Sequence, residues 1–208
     1  MRLRPCPTCA TFLATTEPPH YRCENCRRQP PSFSLARAAL PYQGQLRQRI
    51  LAFKYREDTG QRRYLAPLLA ETFHRWYAGL PIDMVVPIPL HPQRLEERGY
   101  NQAELLTRLL SADLNLDHAP DLLTRIKDTC RLANLSRSER EKVLQGAFRA
   151  EASAQGKTIL LVDDIYTSGA TASSASRALL RSGAKAVYVL TVAAGWDLGV
   201  QKNTQTIF

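Results

Sequence analysis

Between residues 34 and 193, short apolar runs alternate with stretches in which apolar residues recur every three or four positions. The first pattern predicts buried strands and the second amphipathic helices. Residues 35–42 read as a strand. Gly44–Tyr55 reads as a helix, because Leu46, Ile50 and Phe53 stand at i, i+4 and i+7. Further helices are expected over residues 64–77 and 101–110, the latter with Leu105, Leu106, Leu109 and Leu110 turned inward. Residues 82–88, 158–162 and 186–192 are apolar runs of the kind a parallel sheet buries on both faces. Residues 136–144 form a polar, highly charged helix or loop, and residues 171–181 an Ala-rich helix. Such alternation predicts an α/β domain built on a mainly parallel sheet flanked by helices.

The two ends break this pattern. Residues 1–30 are rich in Cys and Pro with almost no apolar periodicity, and Pro30-Pro31 closes them. Residues 195–208 are polar and patternless, which predicts a loose tail. Three units are therefore expected: 1–30, 34–194 and 195–208.

With 44% hydrophobic and 23% charged residues, the chain has the material for a packed core, which excludes global disorder. No apolar run approaches the ~20 residues of a membrane helix, so no membrane insertion is expected. No apolar segment of a secretory signal follows the start. The cytoplasm is the expected location. The net charge of +9 is unevenly spread: residues 1–64 hold 12 Lys and Arg against 4 Asp and Glu, while residues 65–208 hold 16 against 15. An excess confined to the first third predicts either a polyanion partner near the N-terminus or a solvated basic surface.

Cys6-x-x-Cys9 and Cys23-x-x-Cys26 are separated by 13 residues. Two such knuckles suit one tetrahedral Zn²⁺ at ~2.3 Å from each sulfur. A segment with so little apolar material needs a clip of that kind to fold. A redox pair would need a βαβ context that is missing here, and disulfides do not suit a reducing compartment. His20 is a surface residue or a substitute ligand, and Cys130 an incidental thiol. Arg22, Arg27 and Arg28, with Tyr21 interleaved, could grip a phosphate backbone and stack a base; such ribbons also serve as structural clips or docking sites. Arg47 and Lys54 repeat on one side of the first helix, with Arg56 close by, and would extend a DNA-binding surface.

The richest stretch is Thr158–Tyr166 continued through Thr171. A strand runs into Asp163 and Asp164, then a hydroxyl-rich turn, then a helix. Ligands of open α/β sheets bind at the carboxyl ends of strands. Turn amides leading into a helix cradle anions. Thr167, Ser168 and Thr171 add hydroxyls, Gly169 permits close approach, and Ala170 opens the helix. Acceptor-only carboxylates suit ribose hydroxyls. Taken one piece at a time, the stretch is also a strand ending in Asp before a Ser/Thr-capped helix. A Walker A loop is absent. Upstream, Pro89, Leu90, His91 and Arg94 form a polar loop after an apolar strand, and Arg94 and Arg98 could clamp a pyrophosphate or simply line a solvated loop.

Four apolar residues, two acids and Thr-Ser-Gly-x-Thr resemble the signature of type I phosphoribosyltransferases. That resemblance implies that Asp163 and Asp164 hold the ribose hydroxyls of phosphoribosyl pyrophosphate (PRPP) and that residues 167–171 hold its 5-phosphate. It places the pyrophosphate, with Mg²⁺, on the loop after the upstream strand. In order along the chain, the Cys-rich start, Phe53-Lys54-Tyr55-Arg56, Val-Pro-x-Pro, Arg-Gly-Tyr-Asn-Gln and Asp-Asp-Ile-Tyr-Thr-Ser-Gly-Ala-Thr resemble the ComF-type competence proteins over residues 5–192. This implies a phosphoribosyltransferase fold with a zinc-binding N-terminus and a role in DNA uptake and natural transformation. Single-stranded DNA, and a competence helicase or other DNA-processing proteins, are the implied partners. Two hood positions depart from the family's Gln and Asn: they read Leu132 and Val143. Catalysis is thereby set against a second reading, a DNA-binding adaptor that uses the fold as scaffold or PRPP sensor.

Overall fold

The computed structural model describes residues 3–129 and 137–197. Strands β1 (Leu3–Pro5) and β2 (Phe12–Ala14) form an antiparallel hairpin, followed by the short helix α1 (Glu24–Arg28). Then come β3 (Leu35–Pro41), α2 (Gly44–Tyr55), α3 (Arg62–Trp76), β4 (Met84–Pro87), α4 (Pro92–Arg98) and α5 (Gln102–Leu114). Strands β5 (Asp117–His118) and β6 (Leu123–Arg125), helix α6 (Arg137–Val143) and strand β7 (Phe148–Ala150) lead to β8 (Thr158–Tyr166), α7 (Ala170–Arg181), β9 (Ala186–Ala194) and β10 (Trp196–Asp197).

A five-stranded parallel sheet in the order β3-β9-β8-β4-β5 carries the architecture. The mainly parallel, helix-flanked sheet expected from the apolar runs is present. Its central strands are sealed on both faces: Ile159 and Leu161 face one buried cluster, Leu160 and Val162 the other. This explains why these runs lack polar alternation. Sheet order puts β8 beside β4, with Val162 level with Pro87. The loops leaving the two strands therefore open on the same edge.

Several short elements depart from expectation. Residues 92–98, expected as loop, are helix α4. Pro92 starts it at a position where its missing N–H is not needed, and Gly99 (φ 75°) ends it in the left-handed region. Its one large apolar residue, Leu95, is exposed, so no apolar periodicity announced it. In α5, Leu106 and Leu110 are buried as expected, whereas Leu109 is exposed. At the start of the presumed tail, β10 pairs in parallel with β2. The N-terminal unit does not stand apart: its cysteines lie in the same buried cluster as Val86, Leu161 and Tyr166. Arg37 of β3 donates to the carbonyls of Cys6 (3.1 Å) and Pro7 (3.2 Å). Leu132, Cys130 and residues 198–208 lie outside the described residues. Val143 is described and exposed. Among the described residues no helix is long and apolar enough to cross a membrane.

Candidate functional site

A cleft of about 280 Å³ lies at the carboxyl edge of β4 and β8. Pro89, Leu90 and His91 from the loop after β4, together with Arg94 and Arg98 of α4, form one wall. Asp163, Asp164, Thr167 and Thr171 form the opposite one. The two halves expected to share a ligand thus line one cavity. Gly169 lines a small adjoining pocket with Asp163, Thr167 and Thr171. Ser168 and Ala170 line neither; the Ser168 hydroxyl accepts from the Ala170 amide at 3.4 Å, where α7 begins.

Gly169 has a reason to be glycine. Its φ of +78° favours a residue without Cβ, and a Cβ there would collide with the Tyr166 hydroxyl. Tyr166 fills the space beneath the turn. Its ring meets Phe33 edge-on at 6.2 Å and shares a buried cluster with Cys6, Cys9, Cys23 and Cys26. Burial, and then the Cys9 and Cys26 sulfurs, push its hydroxyl well above the usual tyrosine range.

Lys54 was expected on a DNA-binding face; the structure places it inside the cleft. Its Nζ lies 2.9 Å from Asp164 Oδ1, with side chains 21% and 7% exposed. The neighbouring motif brings it there. Tyr100 and Gln102 donate to the Phe53 carbonyl at the end of α2. Asn101 accepts from Ala103 N (3.1 Å), capping α5, and donates to the Ile88 carbonyl (3.1 Å). The Arg-Gly-Tyr-Asn-Gln run therefore clamps α2 against the β4 loop and presents Lys54 to the carboxylates. Arg98 donates to Gln102 at 2.6 Å.

Asp163 is pushed up to about 7, first by burial and then by Asp164. Burial works against the Lys54 ammonium, but Asp164 and then Asp163 outweigh it and leave Lys54 raised. A buried His91 Nδ1 has no hydrogen-bond partner among the described residues. Arginines on one wall, with carboxylates and hydroxyls on the other, suit a ligand that is anionic and polyhydroxylated. Arg125, Asp128 and Thr129 also line the cleft and were not expected there; Arg125 ends β6, a three-residue strand with no motif of its own, and Asp128 and Thr129 follow it.

Cys6, Cys9, Cys23 and Cys26 are all buried, and their sulfurs lie within 4.8 Å of one another. Cys9 and Cys23 approach to 3.5 Å. A tetrahedron with ~2.3 Å bonds has edges of about 3.8 Å, so four thiolates in this arrangement could hold a metal ion such as zinc. His20 is exposed and takes no part. Arg22, Arg27, Arg28 and Arg56 are exposed, and Arg47 is half-buried. Arg27 lies over the Tyr21 ring at 4.8 Å, so these two side chains cover each other.

The DNA utilization protein YhgH of Escherichia coli (strain K12) is 34% identical to this chain over 187 residues, covering 88% of this chain and 81% of that protein. Competence protein F of Haemophilus influenzae is 32% identical over 176 residues, covering 80% and 76%. The chain belongs to the ComF competence family. Competence protein ComFC of Bacillus subtilis is 33% identical over 152 residues, covering 71% of this chain and 58% of that protein. No family model matches the chain. Among solved structures, an adenine phosphoribosyltransferase is 14% identical, with a TM-score of 0.42 over 67% of this chain and 81% of that one.

Proposed function

We propose that this ComF-family chain binds Mg²⁺–PRPP in the β4–β8 cleft and transfers the phosphoribosyl group to a nitrogen acceptor, acting in DNA uptake. The observation that carries the reading is the single cleft in which Asp163, Asp164, Thr167 and Thr171 face His91, Arg94, Arg98 and Lys54. The turn amides and hydroxyls of residues 167–171 hold the 5-phosphate at the start of α7, where the helix dipole favours an anion. Asp163 and Asp164 accept from the ribose hydroxyls. Arg94, Arg98 and the orphaned His91 face the pyrophosphate. Mg²⁺ arrives with PRPP and suits the hard oxygens of the cleft's carboxylates. In the transfer, the bond from the anomeric carbon to the pyrophosphate oxygen breaks and the pyrophosphate leaves with the electron pair. The acceptor nitrogen bonds to that carbon and loses its proton. Positioning and charge stabilisation carry the rate. The four-cysteine unit holds zinc, and Arg22, Arg27, Arg28, Arg47 and Arg56 supply a cationic surface for single-stranded DNA.

Calorimetric titration with Mg²⁺–PRPP tests the reading. Saturable binding is expected, and an Asp163→Asn/Asp164→Asn variant loses tenfold or more of the affinity. A folded, zinc-loaded wild type that takes up no PRPP would reduce the turn to a scaffold. Phosphoribosyl transfer itself requires steady pyrophosphate release with some acceptor. One feature favours the adaptor reading: exposed Val143 offers no polar group to a hood over the ligand. PRPP binding without turnover on any acceptor, joined to salt-sensitive DNA binding, would select it.

A dependence on pH follows from Asp163. The ligand hydroxyls donate to its charged form, so affinity is full above about pH 7 and falls below it, by at most about tenfold per unit. Titrations at pH 6.5 in buffers of differing ionisation enthalpy should show protons released on binding. Proton uptake, or affinity that is flat from pH 8 to 6, would rule out Asp163 as the group that binds in its charged form.

A further inference from the structure

A second cleft, of about 200 Å³, runs between β7 and the outer face of α7. Three arginines line it: Arg149 from β7, and Arg177 and Arg181 one turn apart on α7. Gln145, Ser174 and Ser182 add polar groups, and no carboxylate lines it. Lys127 stands at its rim, donating to the Gln145 carbonyl at 2.7 Å. Among the described residues no carboxylate pairs with Arg149, Arg177 or Arg181. Like charges at i and i+4 destabilise an isolated helix by ~0.2–0.5 kcal/mol. Arg177 donates to Ser32 and Arg181 stands in the last turn of α7, where a cation is favoured, but the repulsion between the two remains, and an anion in the cleft would turn it into binding.

We propose that this cleft is a track for the phosphodiester backbone of single-stranded DNA, separate from the PRPP site. The inference rests on the DNA-handling role proposed above and locates a surface for it. Guanidinium forks match phosphate oxygens in pairs. The single aromatic residue of the lining, Phe148, is buried in the core, so no ring is exposed for base stacking. Contact is to the backbone and independent of sequence. The cleft also lies near the basic N-terminal unit: Arg177 donates at 3.3 Å to Ser32, two residues beyond that unit. Arg28 lies four residues before Ser32, at most ~14 Å away along the chain. Arg181 is eleven residues beyond Ala170 on α7, about 16 Å along the axis from the phosphate turn. DNA and PRPP can therefore be bound together.

The test is fluorescence anisotropy of a labelled oligonucleotide of about 20 nucleotides, in KCl from about 50 to 250 mM, on zinc-loaded full-length protein. Arg149 and Arg181 are exposed, so an Arg149→Ala/Arg181→Ala variant should fold, and an unchanged Mg²⁺–PRPP titration verifies that it has. Each lost phosphate contact flattens the slope of log K against log salt by about 0.7, so the variant should flatten it by about 1.4, and its affinity near 100 mM should drop tenfold or more. Saturating PRPP should leave DNA affinity unchanged. Wild-type binding that the variant retains with the same slope would overturn the track while leaving the DNA role to the N-terminal arginines. A wild type that binds PRPP but no oligonucleotide would overturn the track and the DNA role together. Displacement of the oligonucleotide by polyglutamate of matched charge, at matched concentration, would overturn the choice of nucleic acid and indicate an acidic protein segment.

Discussion

With zinc in the four-cysteine unit and PRPP in the β4–β8 cleft as proposed, stripping the metal is expected to cost PRPP at least tenfold in affinity, about 1.4 kcal/mol. The path is short and made of packed groups. The cysteines share a buried cluster with Tyr166, whose ring meets Phe33 and whose hydroxyl backs Gly169. The Tyr166 carbonyl accepts from Gly195 N at 3.2 Å, and the Gly195 carbonyl accepts from Phe12 N of the N-terminal hairpin at 3.1 Å. Ala36 N donates to the Thr8 carbonyl at 3.0 Å, so the knuckle is also stitched to β3. Without metal, four thiols must stay buried with no ion to hold them. Structural zinc contributes ~10–16 kcal/mol of apparent binding free energy to units of this kind, so the hairpin is expected to open. Tyr166 then loses its ceiling, and the turn from 167 to 171 loses the floor that fixes the positive φ of Gly169. The measurement is PRPP titration of chelated and zinc-reloaded protein, with proteolysis reporting whether residues 1–30 have melted. A Cys9→Ser variant serves as a second route to the same state. Unchanged PRPP affinity in protein whose N-terminal unit is cut would show that the two sites are independent.

The packing of Tyr166 against the cysteines was invisible in the sequence for a physical reason. The sequence marks Tyr166 only as one residue of a phosphate loop, and the cysteines only as a metal set, because spacing reports local geometry and not what packs underneath it. Elements with strong periodicity were legible: α2 spans Gly44–Tyr55 as expected, and β8 and β9 were found from their apolar runs, although each continues beyond the run. They continue because Asp163, Ile165 and Tyr166 still pair with Thr191, Ala193 and Ala194 after the predicted runs stop. Short elements carried no signal. Helix α4 has no buried face, and β10 is two residues long. Asp163, Asp164, Thr167 and Thr171, singled out by their motif, do line the cleft. Lys54 was misplaced because helical spacing aligns it with Arg47, whereas the end of α2, held by Tyr100 and Gln102, turns it into the cleft. Arg149 lies 28 residues before Arg177 in the sequence, and only the packing of β7 on α7 brings it together with Arg177 and Arg181.

Lys54→Met is expected to be the most damaging single substitution at the cleft. It leaves Asp164, 7% exposed, without the ammonium that lies 2.9 Å away. Breaking a fully buried pair costs about 3–5 kcal/mol. Lys54 retains a fifth of its exposure, so water relieves part of this, and a loss of about 2–3 kcal/mol is expected. For a chain of this length that lowers Tm by roughly 4–12 °C. Two further results separate the ion pair from simple loss of packing. Asp164→Asn in the same molecule removes the stranded charge, so Lys54→Met/Asp164→Asn should be more stable than Lys54→Met alone; a double-mutant cycle reads this coupling directly. The second result is in the binding pH profile. Lys54 holds Asp163 down against the burial and the neighbouring carboxylate that raise it. Without Lys54 its proton is held more tightly, so the acid limb of PRPP binding moves above about pH 7. Equal instability of the single and double variants, with the acid limb unmoved, would mean that Lys54 serves the fold through its methylene chain. The carboxylates would then have to be held ready for the ribose by something other than their cation.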